Sequence, residues 1–363
     1  MSTATGIFLL SLTAIPTCYL LNQVQTFSKD HRAVFAVGCL VLPIIVALAY
    51  LISRRSKPKD WFFYVFSLFA WTSIVDLILA MQADGLIANF IDFYLIEGEP
   101  YLNTAYGLMI NYWDASGHYC MYIMMVTAIV WNENYREVGL FWVGSVMNSL
   151  CVFLPGNVLG KFGGEVRSSF FLNTPYIFLP LYAGYKFLHQ RKPDPPAKTS
   201  SKSSSILSRP IDLIFVLYLA AATLLAFIRV MAAMDSPYPP AQAYLKNYEP
   251  YLQDPVAYPK MQMLVFWFYY VPYYGATIWS LVKPGKSWVA DWAIIHAGAS
   301  AQAQISHIGA SLHSNTPYIY RVPAETQSVF LVINVALLVM PQLLAWRCYS
   351  VANSKKSLSN KEN

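Results

Sequence analysis

The sequence predicts an all-α membrane protein with about ten transmembrane helices, two leading ones followed by two tandem four-helix units. Three observations carry that expectation. Of the 363 residues, 56% are hydrophobic and 12% are charged, about half the charged share of an ordinary soluble domain. The apolar residues fall in runs of roughly twenty, the length at which a helix crosses the hydrocarbon core. Finally, the motif Glu99-Pro100-Tyr101-Leu102 recurs as Glu249-Pro250-Tyr251-Leu252, each copy lying between two apolar runs.

In chain order, the expected spans are 5–22, 33–53, 61–81, 107–131, 139–159, 170–188, 211–234, 261–282, 288–311 and 327–349. The first run is longer than the core of a secretory signal, contains Pro16 and lacks a basic start, so it reads as a retained helix. The ninth run is rich in Ala, Gly and polar residues. Residues 1–60 then hold the two leading helices, 61–188 the first unit and 211–350 the second. Residues 189–210, with Pro193-Asp194-Pro195-Pro196 and a Lys/Ser/Thr run, read as a flexible cytosolic linker. The polar tail 351–363 reads as disordered.

Charge sets the expected orientation. With the N-terminus in the cytosol, seventeen Lys and Arg residues fall in cytosolic segments and seven on the opposite side, which places both termini in the cytosol. The net charge of +6 follows from this bias and does not call for a nucleic-acid partner. The five cysteines sit in or beside apolar runs, without disulfide or metal spacing. No Gly-rich phosphate loop, Gly-x-Ser-x-Gly or dinucleotide fingerprint occurs, so neither cofactor nor metal is expected.

A second pair of stretches strengthens the repeat. Pro180-Leu181-Tyr182-Ala183-Gly184-Tyr185-Lys186 parallels Pro341-Gln342-Leu343-Leu344-Ala345-Trp346-Arg347, in the same order and orientation relative to the Glu-Pro-Tyr-Leu loops. The copies differ in chemistry. The first carries Asp76 and Asp114. The matching stretch of the second has no acid but Arg229 nearby, and the match to Asp114 falls near Phe266.

An ionisable residue inside a membrane helix is costly unless paired or hydrated, which makes it a functional candidate. Asn111, Asp114 and His118 share one face of the fourth span, with Tyr112, Trp113 and Tyr119 around them. Asp76 lies near the lumenal end of the third span, at a depth similar to Asp114, and Glu99 sits in the loop between them. These three acids are expected to converge on one cavity opening toward the lumenal half of the membrane, with Glu99 over its mouth and His118 one turn deeper. Such a site can hold a proton for transfer, and its aromatic faces can stabilise a cation. It fits a proton-shuttling isomerisation with Asp76, Asp114 and His118 as acid and base. It equally fits passive binding by Asp76, Glu99, Asp114, Asn111, Tyr112 and Trp113, or helix glue. His296, Ser300, Gln304 and His307 trace one face of the ninth span and read as a packed polar seam.

The unit with Asp76, Glu99-Pro100 and Asp114 resembles the EXPERA domain shared by emopamil-binding sterol isomerases and the sigma-2 receptor. The duplicated pattern, with Tyr112-Trp113-Asp114, Pro155-Gly156-Asn157-Val158-Leu159-Gly160-Lys161, Asp254-Pro255-Val256-Ala257-Tyr258-Pro259-Lys260 and Ser306-His307-Ile308-Gly309, is similar to the transmembrane 6 superfamily nearly end to end. The resemblance implies two EXPERA-like units and a protein that handles sterols or related lipids, either as a sterol isomerase or as a non-enzymatic binder, sensor or transport factor. It also implies a lysosomal membrane, with the endoplasmic reticulum as the alternative. Where the isomerases place a His and a Glu four apart on the unit's first helix, this chain has Thr72 and Asp76. The hydroxyl residue that follows their second acid is Gly117 here. The pattern stands nearer to the acid pair of the sigma-2 receptor, matched by Asp76 and Glu99.

Overall fold

The computed structural model describes residues 2–27, 29–190, 205–286 and 288–361. Each expected span is helical, and no strand occurs among the described residues. The first run forms α1 (Thr3–Leu12) and α2 (Ala14–Asn22), and the second and third form α3 (His31–Ser53) and α4 (Phe62–Ala83). The fourth is α5 (Ala105–Trp113) and α6 (Tyr119–Trp131), joined by a π turn over Asp114–His118. Then come α7 (Arg136–Leu159), α8 (Thr174–His189), α9 (Pro210–Ala233) and a short α10 (Pro239–Asn247). The eighth run again has a π turn, Phe266–Tyr270, between α11 (Tyr258–Val265) and α12 (Val271–Val282); α13 (Val289–Leu312) and α14 (Gln327–Lys361) complete the chain.

Among the described residues, 6 stretches are long and apolar enough to cross a membrane by length and composition: Thr3–Asn22, His31–Ser53, Phe62–Ala83, Arg136–Leu159, Pro210–Ala233 and Tyr318–Ala352. The other expected spans are interrupted by π turns, short as in α8, or polar as in α13. Residues 191–204 of the expected linker lie outside the described residues. The expected disordered tail is corrected: α14 continues to Lys361, because no Gly or Pro follows Pro341 to break it.

The bundle has two polar ends. At one, Lys186 and Tyr135 bond Asp60, Arg136 reaches the Phe187 carbonyl, and its two terminal nitrogens meet both Asp291 oxygens at 3.0 and 2.8 Å. At the other, the Lys161 amide donates to the Pro255 carbonyl at 3.1 Å, and Tyr106 stacks on Tyr258 with ring centres 4.5 Å apart. The two Glu-Pro-Tyr-Leu loops therefore share this second end. Arg136 and Lys186, two of the basic residues expected in the cytosol, stand at the first.

α7 and α13 cross backbone to backbone. A Cβ on Gly144 would lie 1.8 Å from the Ile295 carbonyl oxygen, and one on Gly298 would lie 1.9 Å from that of Phe141. The contact is reciprocal in the manner of a two-fold interface. Just beyond it, Asn148 donates to Gln302 at 2.6 Å and accepts from Tyr270 at 3.1 Å, and Gln302 donates to Ser306 at 3.0 Å. Small residues that admit close approach, then polar pairs across it, are what holds helices together where lipid removes the hydrophobic drive.

Gly144→Ala should lower the thermal midpoint of the purified protein, since overpacking costs about 1–3 kcal/mol and a backbone carbonyl cannot step aside as a side chain can. Gly275→Ala in α12, where nothing lies within 4 Å of an added Cβ, serves as the control. It should leave the midpoint unchanged or raise it. Equal losses in both variants would show that the crossing has no special role.

Candidate functional site

α4, the loop after it, and the α5–π turn junction surround a cavity of about 190 Å³ in the first half. Its walls are apolar: Cys18 and Leu21 from α2, Val34 to Leu42 from α3, and Val146, Leu150 and Phe153 from α7. Asp76, Glu99, Asn111 and Asp114 all line it, together with Thr72, Tyr94, Asn173 and Tyr176.

Local chain geometry aims each polar group. Glu99 precedes Pro100, which holds it extended (φ −131°, ψ 77°). The Glu99 amide closes the π turn Tyr94–Gly98 at 2.7 Å from the Tyr94 carbonyl, and its own carbonyl accepts from Leu102 at 3.0 Å. Its carboxylate accepts from the Tyr101 hydroxyl at 2.7 Å and from the Asn173 amide at 2.8 Å. Burial pushes the Glu99 carboxyl up to about 7, although the bonds from Tyr101, Asn173 and Tyr94 pull the other way.

Asp76 faces the cavity, and among the described residues none donates a hydrogen bond to its carboxylate; Asp114 and Glu99 lie close enough to act on its charge. Asn111 is buried, and its amide nitrogen has no acceptor. Asp114 opens the π turn and is bonded by the ring of His118, which closes it. The other ring nitrogen of His118 meets the Ser145 hydroxyl at 2.7 Å. Asp114 is thus the cavity end of an Asp–His–Ser chain leading into the α7 side of the core.

Not every expected residue reaches the cavity. His118 is fully buried behind Asp114. The Trp113 indole donates to Ser145 at 2.9 Å, and the Tyr112 hydroxyl donates to Asp84 at 2.9 Å. Tyr112 and Trp113, two and one residues before Asp114, leave α5 on other faces, and neither lines the cavity. Conversely, Asn173 and Tyr176 are polar groups of the wall that no motif singles out. Tyr176 bonds Thr72, and Asn173 could have been found from the Pro180/Pro341 match, which sets it against Asn334.

In the second half, the matching acid has partners. Glu249 is bonded by Arg229 and by the Asn334 amide at 3.2 Å, with His307 at 3.6 Å. Burial acts to raise its carboxyl, but the Arg229 guanidinium outweighs it and holds the value at about 2. The expected seam on α13 is only partly bonded: Ser300 donates to the Leu337 carbonyl at 2.7 Å, whereas both ring nitrogens of His296 lack partners.

Comparison with known proteins adds kinship. The family model described as transmembrane 6 superfamily member 2-like, transmembrane domain, matches residues 13–198, and that described as EXPERA (EXPanded EBP superfamily) matches residues 240–348. Transmembrane 6 superfamily member 2 of Mus musculus is 44% identical over 343 residues, covering 93% of this chain and 90% of that protein. The Homo sapiens protein of the same name is 43% identical over 347 residues, covering 93% and 91%. No solved structure matches. These matches bear on two expectations. The short stretches Ala4-Thr5-Gly6-Ile7-Phe8 and Asn103-Thr104-Ala105-Tyr106-Gly107 point to member 1 of the superfamily, but the alignments that span the chain are to member 2. The expectation of two EXPERA domains meets one EXPERA match, over the second half.

The raised value of Glu99 fixes the sign of a pH dependence. Its folded value, about 7, lies above the ordinary 4.5, so the folded state holds the proton more tightly. Its contribution to stability is complete below the ordinary value, falls as pH rises toward 7, and is level above that. A thermal midpoint followed from pH 4 to 8 should show this decline, and Glu99→Gln should flatten it. A decline of the same size in the Gln variant would assign it to other groups.

Proposed function

The chain belongs to the transmembrane 6 superfamily, and we propose that this multi-pass membrane protein binds a sterol or sterol-like lipid in the cavity of its first half. The observation that carries this reading is the set of unmet polar groups on an otherwise apolar wall: the Asp76 carboxylate without a donor and the Asn111 amide without an acceptor. Unmet polar groups in a dry site cost several kcal/mol each. A rigid apolar body with a small polar end satisfies both the wall and these groups. The EXPERA match in the same chain supports a lipid over a soluble metabolite.

The same reading takes residues 61–188 and 211–350 as two four-helix units, with about ten crossings, both termini cytosolic, and the cavity toward the lumenal half. The compartment rests on the resemblance alone, which implies a lysosomal membrane with the endoplasmic reticulum as the alternative.

A second reading, double-bond isomerisation of the bound sterol, is favoured by the Asp114–His118–Ser145 chain. In that role one of Asp76 and Asp114 protonates one carbon of the double bond to leave a carbocation, the other takes a proton from the carbon on the far side so that the double bond re-forms one position along, and His118 supports Asp114 from behind. Binding is the primary reading, because the residues that stand at the isomerase positions are Thr72 and Gly117.

The test is a titration of the purified protein with a fluorescent sterol, followed by incubation with a Δ8-sterol. Asp76→Asn should weaken binding about tenfold or more, a loss of about 1.4 kcal/mol, with the thermal midpoint retained. Product formation that Asp114→Asn abolishes would establish the isomerase. Unchanged affinity in both variants, with a lowered midpoint, would show that the acids only hold helices.

A further inference from the structure

We infer that the second half is a binding unit of the same design held shut by its own side chain. Arg229 fills the space beside Glu249 that stays open as cavity beside Glu99, leaving one open lipid site per chain and a latent site for a guanidinium-type cation.

The two places correspond bond by bond. α4 ends with the Asp84 amide on the Ala80 carbonyl at 2.9 Å and the Leu86 amide on Met81 at 2.9 Å; α9 ends with Met234 on Val230 and Ser236 on Met231, both at 3.0 Å. Gly85 and Asp235, in matching positions, both have positive φ, 75° and 56°. In the same register the Glu99 amide donates to Tyr94 and the Glu249 amide to Tyr244, while Leu102 donates to Glu99 and Leu252 to Glu249. An Asn amide donates to the Glu in each half, Asn173 from just before α8 at 2.8 Å and Asn334 from within α14 at 3.2 Å. Behind them Tyr101 packs on Phe153 with ring centres 5.5 Å apart, and Tyr251 packs on His307 at 5.8 Å.

With no gap in this register, Leu79 stands where Arg229 stands, and Asp76 where Ala226 stands. The difference is one of charge. The first half has an extra acid and no base. The second has lost that acid and gained a base, which spends its donors on Glu249, on the Asn334 carbonyl oxygen at 2.8 Å and on the Tyr244 hydroxyl at 3.2 Å. In the first half no donor meets the Asn173 carbonyl among the described residues, and Leu79 lines open space. Arg229 is 1% exposed, so its side chain takes up the room that would otherwise be cavity.

That the first cavity takes a lipid rests on the function proposed above; the latent site does not. Arg229→Ala should lower the thermal midpoint of the full-length protein, because it takes from buried Glu249 the cation it is bonded to. Ethylguanidinium should restore at least half of that loss, ethylammonium less, and the wild type should not respond. An equal response of variant and wild type to both cations overturns the proposal. Leu79→Arg is the converse test and covers the case in which Arg229→Ala does not fold. A guanidinium facing Glu99 and Asn173 should leave the midpoint equal or higher and abolish binding of a fluorescent sterol. A lowered midpoint with sterol binding intact overturns the proposal. A wild-type protein that binds no sterol, with cation rescue of Arg229→Ala intact, removes the proposed function and leaves the latent site standing.

Discussion

Backbone-to-backbone contact between α7 and α13 sets the position of everything else. Gly144 and Gly298 leave no room for a side chain between the two helices. With that distance fixed, Asn148 must find Gln302 and Tyr270, and Tyr106 must stack on Tyr258. α7 then presents its remaining face, with Val146, Leu150 and Phe153, to the cavity. The same contact explains why the ninth run is so poor in large apolar residues. α13 is buried along nearly its whole length, with Ala293, Ala297, Ala301, Ser300 and Gln304 all inside. It packs against helices and not lipid, so it needs small residues more than hydrophobic ones.

Within that frame one loop design appears with two electrostatic solutions. A carboxylate buried at the polar end of a membrane bundle must keep its proton or find a cation. Glu99 takes the first course, with its value near 7, and Glu249 takes the second, held at about 2 by Arg229. The first arrangement responds to its surroundings, since a pH below about 7 leaves Glu99 neutral and an arriving donor favours its charged form. The second is saturated internally. A responsive site and a saturated one in the same chain divide the labour between its halves.

Much of this was legible in the sequence, for reasons that differ from residue to residue. Long apolar runs can only be helices in lipid, so the ten helical segments follow from composition and length. Asp76, Glu99 and Asp114 could be brought to one cavity because a helix rises by a fixed step, which put both aspartates at one depth with the loop between them. Tyr112 and Trp113 are held off the cavity by bonds to Asp84 and Ser145, partners distant in the chain that no motif names. The partnering of Asn173 with Glu99 joins residues far apart in the chain, and only the match between the two halves hints at it. The two five-residue stretches that point to member 1 carry less weight than alignments to member 2 over most of the chain.

The two π turns also bear on whether the Asp114–His118 pair is a structural fastener. Both turns sit midway along the corresponding run, span five residues each, and hand their last side chain to the central crossing: His118 to Ser145 and Tyr270 to Asn148. If the carboxylate–imidazole bond were what stabilises such a turn, the second would need an equivalent. Instead it places Phe266 against Tyr270, with ring centres 4.6 Å apart, and the turn persists. Aromatic packing therefore suffices to hold this geometry. An acid at the first position adds nothing the backbone requires, and it places a charge beside a greasy cavity at a cost of several kcal/mol. π turns of this kind recur at functional sites. In this pair the turn is common to both halves and the acid is confined to the half with an open cavity, which ties Asp114 to what that cavity holds.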